Sequence, residues 1–365
     1  MSRVEEVRRR LARLGGKVAL VVAGGELGDQ IEASGNRRYL SGFRGDSGLL
    51  WITTTDAALI TDSRFWDQAE RECPDWRLVR QAGQSQGEVL AGLAAAAGIA
   101  MIAYNPAEVT RQTYLGWRRH LGGVGLRAAR GWVEGLRIRK DAVEVAAIAR
   151  AQAVVDAVFG DWRPTVRAGA TERELAVDLE FRLRRAGAEG MAFPPIIATG
   201  AHGAQAHAIP GEQRLEAGDL VVVDVGVRVD GYCSDMTRTL QVPGAAPSPE
   251  ARRAYAVVAR ALRAGIAALA PDVAAHAVDA VARQVIVDAG YGAAFGHGTG
   301  HGVGLAVHES PGLSPRTPPR VRVPEGAIVT VEPGIYVPGQ FGIRLEELVH
   351  VTADGPRILS GTPLD

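Results

Sequence analysis

The sequence has few cysteines and no excess of charge of either sign. Among its 365 residues only Cys73 and Cys233 are cysteines, which excludes a framework of disulfide bonds and fits a reducing compartment. The 41 basic and 41 acidic residues leave a formal net charge of zero, which argues against binding nucleic acid through bulk positive charge. A chain of this length, 47% hydrophobic, can bury a sizeable core unaided.

The sequence also has no hydrophobic run long enough to cross a bilayer. The longest uncharged apolar stretch, residues 89–103, has 15 residues, whereas a spanning helix needs about 20. Residues 1–10 are charged from Arg3 onward and do not read as a secretory signal. We therefore expect a cytoplasmic protein whose partners include neither membranes nor nucleic acid.

Two parts of the chain differ in their patterns. Residues 1–133 alternate strand and helix signals, with a predicted hairpin over residues 48–61, and this alternation is typical of an α/β domain. From residue 134 onward long helices rich in Ala and Val, such as residues 141–159 and 171–185, are followed by pairs of strands. We predict a smaller α/β domain over residues 1–133 and a larger α+β domain over residues 134–365.

The second part contains an internal repeat. Residues 218–226 read GDLVVVDVG and residues 326–334 read GAIVTVEPG, so that Asp224 aligns with Glu332. Each segment predicts a buried strand that ends in an acid. A carboxylate among aliphatic residues is costly to bury unless it is paired or binds a metal.

A return strand after each repeat carries another acid. Asp235 follows Asp224 by 11 residues, and Glu346 follows Glu332 by 14. A hairpin would bring the members of each pair to roughly opposite positions across the ladder. Two related hairpins would thus each present a facing pair of carboxylates.

These acids have two possible explanations. A salt bridge with Arg238 or Arg344 would account for any one of them. Four carboxylates in two matched hairpins favour a metal site instead, because converging carboxylates repel one another unless cations neutralise them. Two divalent ions would balance four such charges.

Two glycine-rich segments supply histidines. Residues 296–309 hold three histidines among five glycines, and these are His297, His301 and His308. Residues 198–211, before the first repeat, hold His202 and His207. Histidine is a common partner of carboxylates at transition-metal sites. This favours a functional role for the three histidines of residues 296–309 and for His207.

Motifs in the order found here resemble those of a known family. They read VVVDVG, DGYCSDMTRT, HGTGHGVGLAVHE, TVEPGIY and GIRLEE across residues 221–347. This region resembles the pita-bread dinuclear metallopeptidases, in the branch of the Xaa-Pro aminopeptidases and Xaa-Pro dipeptidases (prolidases). Residues 36–48 and 61–69 resemble the creatinase-type N-terminal domain of that branch. The resemblance implies an α+β protein in which a pita-bread domain of two related halves follows a smaller α/β domain.

The resemblance also implies roles for individual residues. Its five metal ligands fall on Asp224, Asp235, His301, Glu332 and Glu346. It places His207, His297 and His308 at the substrate, and it gives supporting roles to Arg344 and Tyr336. Glu332 would in addition carry a proton from water to the leaving nitrogen. The chain has His202 where the family often has Asn, and Glu347 where it commonly has Asp.

The implied activity is that of a Xaa-Pro aminopeptidase, a homodimer that acts on proline-containing peptides. A hydroxide shared by two metal ions would be the nucleophile. An oxygen-rich ligand set with one histidine favours Mn²⁺, with Co²⁺ or Zn²⁺ as alternatives. Three other readings stay open: a dipeptidase restricted to Xaa-Pro, a metal-free enzyme of the creatinase kind, and a non-catalytic binding module.

Overall fold

The chain divides into two compact units in the computed structural model. The structure describes residues 2–24 and 35–364, and contacts separate Met1–Arg137 from Ile138–Asp365. The division into domains between residues 133 and 134 stays a prediction. No helix in the described ranges combines the length and the apolar character needed to span a membrane.

The first unit is built of short alternating elements. Its helices are α1 (Arg3–Ala12), α2 (Gly35–Ser41), α3 (Trp66–Glu72), α4 (Gln86–Ala96), α5 (Arg111–His120) and α6 (Glu134–Arg137). Its strands are β1 (Val18–Ala23), β2 (Leu49–Ile52), β3 (Ala57–Asp62), β4 (Arg77–Gln81), β5 (Met101–Tyr104) and β6 (Gly125–Ala128).

These strands form one mixed sheet in the order β4-β3-β2-β1-β5-β6. Strands β2 and β3 pair antiparallel, which confirms the predicted hairpin, and the Thr53 amide donates to the Asp56 carbonyl across its turn. Strands β1, β5 and β6 run parallel. Apolar residues of the sheet pack on α4 and α5 around the buried Trp117. The unit is therefore the α/β layer structure that the alternating pattern predicts.

Longer helices distinguish the second unit. They are α7 (Ala142–Trp162), α8 (Glu172–Arg185), α9 (Pro249–Ala267) and α10 (Ala275–Asp288). The side chain of Thr171 accepts from the Glu174 amide while the Glu174 carboxylate accepts from the Thr171 amide. This capping box satisfies amides that the first turn of α8 leaves free, and it begins the helix where the sequence predicts.

The strands of the second unit are short and numerous. They are β7 (Gly190–Met191), β8 (Ile196–Thr199), β9 (Leu220–Val225), β10 (Val227–Val229), β11 (Tyr232–Cys233), β12 (Met236–Gln241), β13 (Val273–Ala274), β14 (Gly300–Gly302), β15 (Glu309–Leu313), β16 (Arg322–Val323), β17 (Ile328–Val331), β18 (Gly334–Val337), β19 (Phe341–Arg344), β20 (Glu347–Thr352) and β21 (Gly355–Ile358). The principal sheets have the orders β12-β9-β8 and β15-β14-β17-β20-β21.

The two repeats occupy corresponding places in these sheets. In the first, β9 pairs antiparallel with β12, and in the second β17 pairs antiparallel with β20. Helices α7 and α8 pack on the first sheet, whereas α9 and α10 pack on strands of the second half. Each half is thus a pair of helices on its own antiparallel strands, and these are the two related halves that the family resemblance implies.

The register differs between the halves. Asp224 pairs with Thr237, so Asp235 lies two positions from its expected partner, at the end of the ladder. In the second half the last pair is Val331 with Glu347, and both Glu332 and Glu346 lie immediately beyond it. The four acids therefore gather at the ends of the ladders.

Candidate metal centre and substrate cavity

The acids and histidines selected from the sequence line one cavity of about 510 Å³. Its polar wall contains Asp224, Asp235, Glu332, Glu346, His207, His297, His301, His308 and Arg344. All of them belong to the second unit. The structure therefore brings together residues that lie up to 139 positions apart in the chain (Glu346 against His207).

Three side chains form a group that can hold a metal ion. One ligand atom each from Asp235, His301 and Glu346 lies within 4.8 Å of the other two. His301 Nε2 is 3.6 Å from Asp235 Oδ2 and 3.3 Å from Glu332 Oε1. Its Nδ1 lies 3.1 Å from the Gly302 carbonyl oxygen, a partner that places the proton on Nδ1. Nε2 is then the atom that faces the acids, and it can release its proton to bind a cation, as in a metal-ligating histidine.

Asp224 is held differently. Its Oδ2 accepts a hydrogen bond of 2.5 Å from Arg344 Nη2, so the salt bridge considered as an alternative is present for this acid. Its Oδ1 is buried and has no hydrogen-bond partner. A buried carboxylate oxygen without a partner is costly, and this one is left with a lone pair to offer a cation.

The buried carboxylates influence one another strongly. Burial, followed by the charge of Glu346, raises the pKa of Asp235 well above its ordinary value. Burial and the charges of Glu332 and Asp224 likewise raise the pKa of Glu346. Burial acts in the same direction on Glu332, but the hydrogen bond and the charge of His301, together with the charge of Arg344, outweigh it and lower the pKa of Glu332 to about 2. Such a set of oxygen and imidazole donors fits divalent cations, which would relieve the repulsion.

A hydrogen-bonded network lies behind this group. Arg344 Nη1 donates to the Tyr336 hydroxyl at 2.8 Å and to the Ala206 carbonyl at 3.1 Å. The Tyr336 oxygen is also 2.9 Å from Nε2 of His297. Burial lowers the pKa of His297, which keeps its imidazole neutral near pH 7. Arg344 therefore connects Asp224 both to His297 and to the segment that carries His207.

The remaining histidines lie on the open side of the cavity. His207 and His308 are exposed, and the His308 ring meets the His301 ring edge-on with centroids 4.4 Å apart. The apolar wall of the cavity comes from Phe193, Pro194, Pro195, Ile196, Ala206, Ala208, Ile209 and Pro210. Ile209 is 82% exposed, so a large apolar side chain is available to a ligand there.

Sequence reasoning did not select two features of the site. Thr237 donates to Glu346 Oε2 at 2.7 Å and accepts from Arg344 Nε at 3.2 Å, so it fixes two side chains of the cavity. It belongs to the DGYCSDMTRT motif, which was the available signal. The apolar wall had no comparable signal, because no titratable residue marks residues 193–196.

Comparisons with known proteins indicate the family of this chain. The profile of metallopeptidase family M24 matches residues 146–353, and that of the creatinase/prolidase N-terminal domain matches residues 3–139. The chain is 37% identical over 230 residues to a Xaa-Pro dipeptidase of Pyrococcus furiosus, a match that covers 63% of this chain and 65% of that protein.

Solved structures that resemble the whole chain include a dipeptidase and an aminopeptidase. A Xaa-Pro dipeptidase from Bacillus anthracis has a TM-score of 0.91 and 32% identity, covering 100% of this chain and 98% of the other. An X-Pro aminopeptidase from Thermotoga maritima has a TM-score of 0.87 and 34% identity, covering 98% and 99%.

The chain belongs to metallopeptidase family M24. Its second unit has the pita-bread fold, and its first unit belongs to the creatinase/prolidase N-terminal domain family. The family resemblance and the fold expected from the sequence are thus confirmed. The protein is a metallopeptidase, which sets the two non-peptidase readings aside.

Proposed function

We propose that this protein hydrolyses the peptide bond before proline, with Xaa-Pro dipeptides as its principal substrates. The observation that carries the proposal is the cavity itself, where a group of buried acids and one histidine shares the lining with an apolar wall. The wall suits the proline ring, and the polar group suits the scissile carbonyl. The names of the relatives support the dipeptidase over the aminopeptidase that the sequence favoured.

We assign the metal site to five residues as a proposal. Asp235, His301 and Glu346 form the compact group, and Asp224 and Glu332 complete it. Two divalent ions, with Mn²⁺ as the first choice, would supply Lewis acidity and an activated water. Buried oxygen donors that repel one another in the absence of a cation support this assignment.

The side chains around this group have separate tasks in the proposed reaction. Glu332 is ionised at neutral pH because of its low pKa, so its carboxylate can accept a proton from water and return it to the proline nitrogen. His207 and His308 are exposed at the cavity and would contact the substrate carbonyl. His297 packs against Phe295 and Tyr336 and would border the proline ring.

Peptide length and sequence test the proposal. Purified protein, stripped of metal and refilled with Mn²⁺, would be given Ala-Pro, Ala-Pro-Ala and Ala-Ala. We expect cleavage of Ala-Pro, little cleavage of Ala-Pro-Ala and none of Ala-Ala. Equal cleavage of Ala-Ala would contradict the requirement for proline.

An aminopeptidase is the second candidate, and one observation favours it. A dipeptidase holds the free carboxylate after proline, and arginine is the natural partner for that group. Among the described residues that line the cavity, Arg344 is the one lysine or arginine, and it is already bound to Asp224. Cleavage of Ala-Pro-Ala at a rate equal to that of Ala-Pro would select the aminopeptidase. The homodimer and the cytoplasmic location stay predictions.

A further inference from the structure

We propose that two buried helix carboxylates, Glu172 of α8 and Asp279 of α10, are positioning residues for the substrate-facing histidines. Each holds the segment that presents one histidine to the cavity, His207 in the first half and His297 in the second. The catalytic consequence rests on the proposed function, whereas the holding of the segments does not.

Glu172 joins the two ends of the segment of residues 199–211. It is the first residue of α8 and is 0% exposed. Its Oε1 accepts from the Thr199 amide at 2.8 Å, and its Oε2 accepts from the Gly211 amide at 3.0 Å. Residues 199–211 include His207, so this one carboxylate holds together the two ends of the segment that carries His207.

Further bonds extend from Glu172 toward His207. His202 Nδ1 is 2.9 Å from both oxygens of Glu172. The Gln205 amide donates to the His202 carbonyl at 3.0 Å, and the Ala208 amide donates to the Gln205 carbonyl at 3.1 Å. A continuous chain of hydrogen bonds therefore leads from the carboxylate to the residue next to His207.

Only a carboxylate satisfies both ends of the segment. Each oxygen of Glu172 accepts from a different backbone amide, so a glutamine would direct its own N–H groups at one of them in either orientation. Hydrogen bonds to a charged acceptor are stronger than neutral ones, and a buried amide left without a partner is costly. The negative charge at this position thus has a specific task.

Asp279 holds the second histidine segment. It is 1% exposed, and its Oδ1 accepts from both the amide and the hydroxyl of Thr299 at 2.9 Å. Its two oxygens also accept from Arg283, at 2.8 and 2.9 Å. Arg283 in turn donates to the carbonyls of Phe295, at 3.0 Å, and His297, at 2.6 Å. The backbone is fixed on both sides of the His297 imidazole.

The two arrangements are related by position and independent in their contacts. Each carboxylate lies on the helix that precedes its histidine segment, and both helices pack behind the cavity strands of their half. The two sets share no residue. Neither carboxylate lines the cavity, so neither can act on the substrate directly.

The first test replaces Glu172→Gln, with Glu174→Gln as its matched control. Glu174 is an exposed acid of the same helical turn, and its hydrogen bonds are those of the cap with Thr171, outside the 199–211 segment. Amide hydrogen exchange would be followed by mass spectrometry, and kcat and KM would be measured for Ala-Pro with saturating Mn²⁺. We expect faster exchange confined to residues 199–211 and a fall in kcat/KM of about 10- to 100-fold in E172Q alone.

The second test uses Asp279→Asn, with the exposed Asp288→Asn as its control. We expect faster exchange confined to residues 295–299, and a loss of kcat/KM of the same order. Glu172→Asp keeps two acceptor oxygens and should recover part of the activity. If E172Q does not fold, His202→Leu removes one partner at a less buried position and should change exchange and kcat/KM in the same direction.

Wild-type exchange and kcat/KM in both E172Q and D279N would overturn the proposal. Faster exchange throughout the second unit would also overturn it, because the carboxylates would then serve general stability. If the wild-type protein cleaves no Xaa-Pro peptide while exchange changes as expected, the proposed function fails and the holding role stands. Locally faster exchange with unchanged kcat/KM would also overturn the proposal, because the carboxylates would then hold the segments without positioning the histidines for catalysis.

Discussion

Asp235 and Glu346 are acids whose ordinary ionisation is opposed by burial and by their neighbours. Each has a pKa well above its usual value in the metal-free protein. The folded state therefore keeps protons that the unfolded chain releases, so stability falls as pH rises from about 4 through the raised pKa. Glu332, with a pKa of about 2, acts in a lower pH range and does not cancel this effect.

The substitution Asp235→Asn should stabilise the metal-free protein because asparagine, unlike Asp235, need not take up a proton when the chain folds. The gain in the free energy of unfolding should grow with pH, by about 1.4 kcal/mol for each unit by which the pKa of Asp235 is raised. Urea denaturation between pH 5 and pH 8, with a chelator present, measures it. A gain that is constant over this range would contradict the explanation.

Glu332→Ala should reduce kcat by about 10²- to 10⁴-fold, as expected for loss of a group that transfers protons. The protein should remain folded, because Glu332 is partly exposed to the cavity. Activity on Ala-Pro would be compared at verified metal content, with circular dichroism as the control for folding. Substantial residual turnover would remove Glu332 from the mechanism.

Close backbone contacts between elements set the shape of the cavity. Gly342 of β19 lies against Gly203 in the segment that carries His207, and an added Cβ would overlap the Gly203 carbonyl oxygen. A glycine is required here because two backbones approach too closely for any side chain.

Gly342→Ala should therefore cost about 1–3 kcal/mol of stability and displace the segment that carries His207. Gly160→Ala in α7 is the matched control, since a Cβ there meets no atom within 4 Å and alanine favours a helix. Thermal unfolding and kcat/KM for both variants test this. Equal behaviour of the two variants would show that the contact at Gly342 is unimportant.

At the scale of helices and strands, short sequence patterns predicted the features that depend on interactions between residues close together in the chain. The capping box at Thr171 and the hairpin turn after Ile52 involve residues within a few positions of each other, so the sequence displays them directly. The repeat predicted both acid-bearing hairpins for the same reason. The sequence did not predict that Asp235 lies two positions from the residue that pairs with Asp224, because this register depends on the intervening strands β10 and β11.

The sequence did not predict contacts between residues that are far apart along the chain. Asp224 and Arg344 are 120 positions apart, so the sequence could offer their salt bridge only as one possibility. The hydrogen bond that Glu172 accepts from Gly211 spans 39 positions and involves a backbone amide, which has no signature in the sequence. Tertiary packing decides such pairs, and the family resemblance bridged part of this gap.

For the molecule as a whole, metal binding should be coupled to stability. Cations that bind only the folded state stabilise it, by about 2.7 kcal/mol at a concentration 100 times the Kd. We expect Mn²⁺ to raise the thermal midpoint of the chelator-treated protein and His301→Ala to weaken this rise. Differential scanning calorimetry measures both, and an equal rise in the variant would place the metal elsewhere.

The most direct test of the central claim is a metal titration of Xaa-Pro hydrolysis. Chelator-treated protein would be titrated with Mn²⁺ while Ala-Pro cleavage and bound metal are measured on the same samples. The account predicts no cleavage without metal and full activity once two equivalents are bound. Undiminished cleavage by metal-free protein, or no cleavage of any Xaa-Pro peptide by the fully loaded protein, would contradict it.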